Sequence, residues 1–378
     1  MDVSNPVWAS PIEFLQTVNP ENPVMFFAPK ALQARTQQFL KGFPGLVTYA
    51  VKANPDISVL QSLVSHGITG FDVASPEEIQ LMRSLAPEAA LHYHNPVRAR
   101  SEIEFAQRMG VKSYSVDSRS ELAKLAEILD PEGVEISVRF ALPVDGASYN
   151  FGAKFGAIPA AAADLLREVA RLGFITSMTF HPGTQCTDAE AWHKYILAAA
   201  DIAANAGVKI ERLNVGGGFP SQRSNEAGDL DEIFGVIDQA TTEAFGDNRP
   251  ALVCEPGRAL VADAFALSVG IKAIRDGADV FLNDGIYGGL SEQHLIGLTQ
   301  RLLAVHPDGT LVAGEGVPHR LFGPTCDSMD MMPGVTHLPA ELAEGDYIIF
   351  YSLGAYSTAT ATRFNGFGDL QLATVHTL

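Results

Sequence analysis

Lys52 closes the apolar run Thr48-Tyr49-Ala50-Val51. An ammonium at the mouth of a buried strand loses hydration, which lowers its pKa toward that of a useful nucleophile. Such an amine forms Schiff bases; the plainer alternative is a salt-bridged strand end. Farther along, Gly216-Gly217-Gly218 leaves backbone N–H groups able to close on an anion. Glu255, within Cys254-Glu255-Pro256-Gly257-Arg258, is a carboxylate suited to a protonated ring nitrogen, or else to an ion pair with Arg258. His181, followed by Gly183 and Thr184, offers an imidazole that stacks on a flat ring, works as an acid or base, or only fills structure. His92 and His94 stand at i and i+2, which puts both on one side of a strand, where they could share a zinc ion.

These residues need a scaffold, and the chain supplies a repeating one. A short β-type run, a turn and a helical stretch rich in Ala, Leu and Glu recur eight times. The runs are Val47–Lys52, Gly70–Ser75, Ala90–Asn95, Ser113–Asp117, Glu135–Phe140, Ser177–His181, Arg212–Val215 and Ala251–Glu255. Parallel strands need crossover helices and are buried on both faces, so eight units predict an α/β fold with a closed (β/α)8 barrel. An open doubly wound sheet also alternates; the count favours the barrel. Its C-terminal strand ends form the active face, which gathers Lys52, Asp72, Asn95, Arg139, His181, Gly216–Gly218, Glu255 and Arg258. The glycines follow strand seven, where barrels commonly hold phosphate. Helical phasing agrees: in Pro76–Leu85, Ser75 is an N-cap before a proline at the first helical position, with Glu77 and Glu78 in the first turn.

After Ala259 the pattern changes to β-rich runs separated by Gly, Asp and Pro. Ala264–Ile274, Asp279–Leu282, Thr310–Ala313, Tyr347–Tyr351 and Leu370–Val375 predict a separate, mainly antiparallel β domain. The expected division is 27–264 for the barrel and 1–26 with 265–378 for the β domain, the early run Val24–Phe27 being a candidate strand.

At 378 residues, 47% hydrophobic and 19% charged, the chain is long enough for a large core and a second domain. A net charge of −18 without basic runs argues against nucleic acid or anionic lipid as partners. Cys186, Cys254 and Cys326 form neither a disulfide framework nor a CxxC pair, which points to a reducing compartment. The first residues lack a basic segment followed by an apolar one, and no apolar stretch reaches the ~20 residues of a membrane span. A cytoplasmic protein is expected.

Taken in order, YAVKANP (Tyr49–Pro55), FDVAS (Phe71–Ser75), FHPGTQ (Phe180–Gln185), GGGFP (Gly216–Pro220), EPGR (Glu255–Arg258), NDGIYG (Asn283–Gly288), GPTCDSMD (Gly323–Asp330) and GAYS (Gly354–Ser357) span most of the chain. This series resembles the fold-type III ornithine/lysine/diaminopimelate decarboxylases, which use pyridoxal 5′-phosphate (PLP), and within them the ornithine decarboxylases. The resemblance implies that Lys52 holds PLP, His181 stacks on its ring and Glu255 pairs with its nitrogen, supported by Asp72, Arg139 and Lys154. Thr184, Gly217, Gly218, the backbone around Glu255–Arg258 with Gly257 and Arg258, and Tyr356 would hold the phosphate. Cys326 and Asp327 would reach the partner subunit's site in a head-to-tail homodimer. There Cys326 donates a proton to Cα, and Asp327 with Tyr287 meets the distal substrate ammonium.

The implied reaction is decarboxylation of a basic amino acid: first L-ornithine to putrescine, a step of polyamine biosynthesis, then lysine or another diamino acid, then diaminopimelate. Two departures bear on this. HPGTQ replaces a loop that more often carries Val and Ser, and Leu295 and Ile296 stand where ornithine decarboxylases carry an acidic residue, leaving Glu292 as a substitute. Alanine racemases share the barrel but pair the ring nitrogen with Arg, where this chain has Glu255. Catalytically dead homologues lose Lys52 or Cys326, both present here. A barrel metallohydrolase built on His92 and His94 is the remaining alternative.

Overall fold

The computed structural model describes residues 6–142, 154–224 and 228–378. They form two compact units: one of Thr36–Pro220 and Gly228–Gly257, the other chiefly of Arg258–Leu378 with the chain up to Arg35. In the first unit the strands Leu46–Ala50, Gly70–Val73, Ala90–Tyr93, Ser113–Val116, Glu135–Arg139, Ile175–Thr179, Arg212–Asn214 and Ala251–Cys254 pair in parallel in chain order. The eighth closes on the first through Val253 to Leu46 and Cys254 to Val47. All eight expected strands are present, each ending one or two residues earlier than its expected run, so Lys52 and His181 lie just beyond their strands.

Alternation within the strands sorts the residues into two layers. Phe71, Tyr93, Tyr114, Ile136, Met178 and Leu213 are buried on one side. The intervening Asp72, His92, Ser113, Ser115, Ser137, Ser177 and Asn214 are equally buried, so one face of the barrel wall is polar throughout its depth. Burying such groups is costly unless they pair with one another. Outside, Pro76–Leu85 is a helix as its local signals require: Ser75 Oγ accepts from Glu78 N at 3.2 Å, and Ile79 and Met82 are buried.

The second unit is a mixed sheet built on the long strand Phe265–Arg275. That strand runs antiparallel to Val24–Phe27, Asp279–Leu282 and Tyr347–Tyr351. Leu302–Val305 and Thr336–Pro339 add two more antiparallel pairings, whereas Val7–Trp8, Gln371–Val375 and Gly316–Phe322 enter through parallel ones. Its core includes Phe14, Leu15, Val24, Phe26, Ala266, Ile349 and Val375. The expected strand Thr310–Ala313 reduces to one bridge, Leu311 to Val305; the apolar run Leu302–Val305 takes the ladder position on Tyr347–Tyr351 instead. Among the described residues no helix is long and apolar enough to cross a membrane.

Candidate active site

The backbone of Lys52 is fixed from several sides. The first strand stops at Ala50, and Val51–Ala53 make one 3-10 turn. Tyr49 Oη donates to Asn54 O at 3.0 Å, and Ala50 N donates to Pro256 O at 3.3 Å. Gly257 packs so close to this turn that a Cβ there would sit 2.9 Å from that of Ala53. The Lys52 side chain is not desolvated as its apolar run suggests: it is 50% exposed, with Nζ 3.2 Å from Oδ2 of the buried Asp72. The other Asp72 oxygen, Oδ1, is buried and has no hydrogen-bond partner among the described residues. Burial first, then the nearby Glu255, raises the Asp72 pKa against the opposing pull of Lys52 and His94.

Glu255 follows the eighth strand by one residue, and its Oε1 receives both His94 Nδ1 and Asn214 Nδ2 at 2.5 Å. Burial alone would protonate this carboxylate; His94, Lys52 and Asn214 outweigh it and hold Glu255 well below the ordinary carboxylate range. His181 moves the other way. Lost hydration, then Arg139 and Lys52, push its pKa down to about 3, and its Nδ1 accepts Gly183 N–H at 3.1 Å, which leaves a neutral ring with its proton on Nε2. Lost hydration also lowers the Arg139 pKa against Glu255 and Asp72. Arg139 and Lys154 both lie over the ring of Phe155, at 5.3 and 4.9 Å.

The loops after strands six, seven and eight are stapled together around the glycines. Asn214 Oδ1 accepts Gly216 N–H at 2.9 Å, Glu255 N donates to Gly216 O at 2.9 Å, and Cys186 N donates to Gly218 O at 2.9 Å. Gly218 has φ +87°, and a Cβ on it would come 2.2 Å from Gly183 O. Only glycine fits there. Thr184 follows Gly183 in the same loop.

In the second unit Tyr287 Oη donates to Asp327 Oδ2, and Cys326, exposed, directs both its N–H and its Sγ to Asn365 Oδ1, at 3.2 and 3.3 Å. Arg258 lies 5.3 Å over the Tyr356 ring, and Tyr356 itself has φ +57°, a strained backbone for a residue with a Cβ. Arg258 also binds both oxygens of Glu292. This corrects the reading of Glu292 as the missing acid for a distal ammonium: its carboxylate is neutralised by a buried guanidinium.

Asn214, Asn365 and Phe155 escaped sequence reasoning. Asn214 carried a usable signal, a polar residue inside an apolar strand just before three glycines. Asn365 and Phe155 carried none, because their contacts depend on how distant loops meet. His92, His94 and Glu135 bring donor atoms within 4.8 Å of one another, as do Asp72, His94 and Glu255. However, both nitrogens of His94 already have partners, and Glu135 is taken by Arg212 and Ser113.

A primary amine beside a carboxylate, a second carboxylate held ionised, a neutral imidazole and a glycine cradle fit a flat phosphorylated aldehyde, and the orphaned Asp72 oxygen leaves an acceptor for it. The comparisons agree. The family described as pyridoxal-dependent decarboxylase, pyridoxal binding domain, matches residues 30–262. The chain is similar to ornithine decarboxylase of Mus musculus, 32% identical over 359 residues, covering 87% of this chain and 75% of the relative. Among solved structures it is similar to the agmatine-bound arginine decarboxylase of Paramecium bursaria Chlorella virus (TM-score 0.85, 26% identity, 96% and 98% of the two chains). It is also similar to the cadaverine-bound lysine/ornithine decarboxylase of Vibrio vulnificus (TM-score 0.83, 26% identity, 97% and 99%). With amine, carboxylates and glycine cradle in place at the barrel mouth, this chain belongs to the pyridoxal-dependent decarboxylase family, and its cofactor is PLP.

Proposed function

We propose that this protein decarboxylates a basic L-amino acid, L-ornithine before lysine, releasing the corresponding diamine and CO₂. The observation that carries this reading is the pairing of Lys52 with Asp72 at the mouth of a barrel whose Glu255 carboxylate is held by His94 and Asn214. PLP, when bound, supplies the electron sink for the electron pair left at Cα as CO₂ departs. Lys52 would hold it, Glu255 its ring nitrogen and neutral His181 its ring face. Thr184, Gly217, Gly218 and Gly257, with Arg258 and Tyr356, would take the phosphate.

Cys326 would deliver one proton to Cα, replacing the lost carboxylate, so that amino acid and proton become amine and CO₂. Asp327, steadied by Tyr287, would meet the distal ammonium. These three residues would serve the partner's site in a homodimer, a reading supported by the exposure of Cys326 and by the 56% exposure of Met329 beside it. The relatives that act on ornithine, lysine and arginine limit the substrate to a cationic side chain. Lysine remains the second reading because Glu292 is occupied and Leu295 is apolar, which leaves Asp327 as the acid proposed for the distal amine.

The test is CO₂ release from ornithine, lysine, arginine and diaminopimelate by the PLP-loaded protein. Fastest turnover on ornithine is expected. Lys52→Ala should abolish the visible absorption of bound PLP and lower kcat by at least ~10³. Release from none of the four would overturn the substrate assignment, and a band that survives in Lys52→Ala would overturn the role of Lys52.

A further inference from the structure

Beneath the mouth, hydrogen bonds run down the inside of the barrel. His94 Nδ1 meets Glu255 Oε1 at 2.5 Å, and His94 Nε2 meets Ser113 Oγ at 3.1 Å. Ser113 Oγ donates to Glu135 Oε1 at 3.0 Å, and Glu135 takes the guanidinium of Arg212. Arg212, Glu135, Ser113 and His92 line a cleft of about 700 Å³ at the N-terminal ends of the strands. The column thus links the carboxylate at the mouth to the opposite end of the barrel.

His94 is the joint of this column and is 6% exposed. One of its nitrogens lies within 4.8 Å of the carboxylates of Asp72 and Glu255, and one within 4.8 Å of Glu135. The facing cations are largely spoken for: Lys52 pairs with Asp72 and Arg212 with Glu135. Arg139 also faces Asp72 and Glu255, but the donors seated on Glu255 Oε1 are His94 Nδ1 and Asn214 Nδ2, so His94 is the titratable group in direct hydrogen-bond contact with that oxygen.

We propose that His94 is a positioning residue for Glu255, a buried imidazolium that gives its Nδ1 proton to the carboxylate and, with Asn214, fixes the oxygen intended for the cofactor's ring nitrogen. This rests on the reading of Glu255 as that nitrogen's partner. The ring nitrogen then meets a neutral ion pair rather than a bare anion, so its proton affinity is set through His94. Electrostatics point the same way. Burial works to discharge His94, but Glu255, Asp72 and Glu135 outweigh it and hold its pKa above the ordinary value. The neighbouring His92 is pushed down to about 3 by burial, then by His94 and Arg212, so the two histidines of the pair shift in opposite directions.

The test uses the PLP-loaded protein with ¹⁵N-labelled histidine. Wild type should show a doubly protonated ring that persists above the pH at which a free histidine loses its proton, with that signal lost in His94→Asn. Asparagine keeps an N–H for Glu255 but carries no charge, so His94→Asn should move the midpoint of the pH-dependent PLP absorption by more than about one pH unit. It should also weaken PLP binding and lower kcat about tenfold each, with KM within about threefold; His94→Ala should do more. A merely structural histidine would lower thermal stability and leave the absorption profile in place, and that result overturns the proposal. So does the absence of any doubly protonated ring in wild type, a measurement that decides the matter should neither variant fold. Failure of the wild type to bind PLP would remove the functional reading instead, and the charge on His94 would still be read directly.

Discussion

At the scale of single residues, the groups proposed to react stand out in the sequence because their types are uncommon where they stand. A lysine ending an apolar run and a glutamate opening EPGR announce themselves. Their partners did not: His94 lies 161 positions from Glu255, and Asn365 lies 39 from Cys326. Asn365 has the more testable consequence. With φ +54° it aims one carbonyl oxygen at both the N–H and the thiol of Cys326. Asn365→Ala should free that thiol to rotate away from a fixed direction. General acids contribute about 10²–10⁴ in rate, and the loss of orientation alone should take roughly a quarter of that on a logarithmic scale. A three- to tenfold drop in kcat with KM nearly unchanged is expected, read by steady-state kinetics beside Cys326→Ala, which should lose far more.

At the scale of elements, strongly local signals were read correctly and cooperative ones were not. Ser75 and Pro76 predicted the helix start because capping is settled within one turn. Gly316–Phe322 was missed because its burial is irregular and it contains Pro318 and Arg320; its place comes from pairing with Asp279–Leu282 and Thr336–Pro339. The loop after strand seven was read as an anion cradle from three glycines, and the structure adds why no other residue serves at Gly218. Gly218→Ala must adopt a left-handed backbone and displace Gly183 O, carrying with it the segment that holds Thr184. PLP affinity should fall by at least about tenfold, measured by equilibrium dialysis. The Tm of the cofactor-free protein should drop by only a few degrees, since such strain costs about 1–3 kcal/mol.

At the scale of the whole molecule, stability and assembly give the remaining tests. Asp284 is 1% exposed in the β unit, and burial pushes its pKa up to about 7, against the hydrogen bonds of Gly289 and Gly285. Because the folded value lies above the unfolded one, the contribution of this group is full below about pH 4 and is lost as pH rises through 7. Between pH 5 and 8 the stability of wild type should therefore fall more steeply than that of Asp284→Asn, followed as Tm, the difference over this window having a ceiling of ~3 kcal/mol. The eightfold repeat made the barrel readable across the whole chain, whereas assembly leaves almost no trace in one sequence, so the proposed dimer needs its own experiment. If Lys52 acts in one subunit and Cys326 comes from the other, Lys52→Ala and Cys326→Ala homodimers each lack activity for different reasons. In a mixed dimer both lesions fall on one site and the second site is intact. Random re-pairing makes about half of the dimers mixed, each with one good site of two, so about a quarter of wild-type activity should return. If both residues served the site of their own chain, every site in the mixture would carry one lesion and no activity would return. Co-refolding the two variants and measuring CO₂ release over time separates these arrangements, because subunit exchange predicts a rise from the residual level to a plateau.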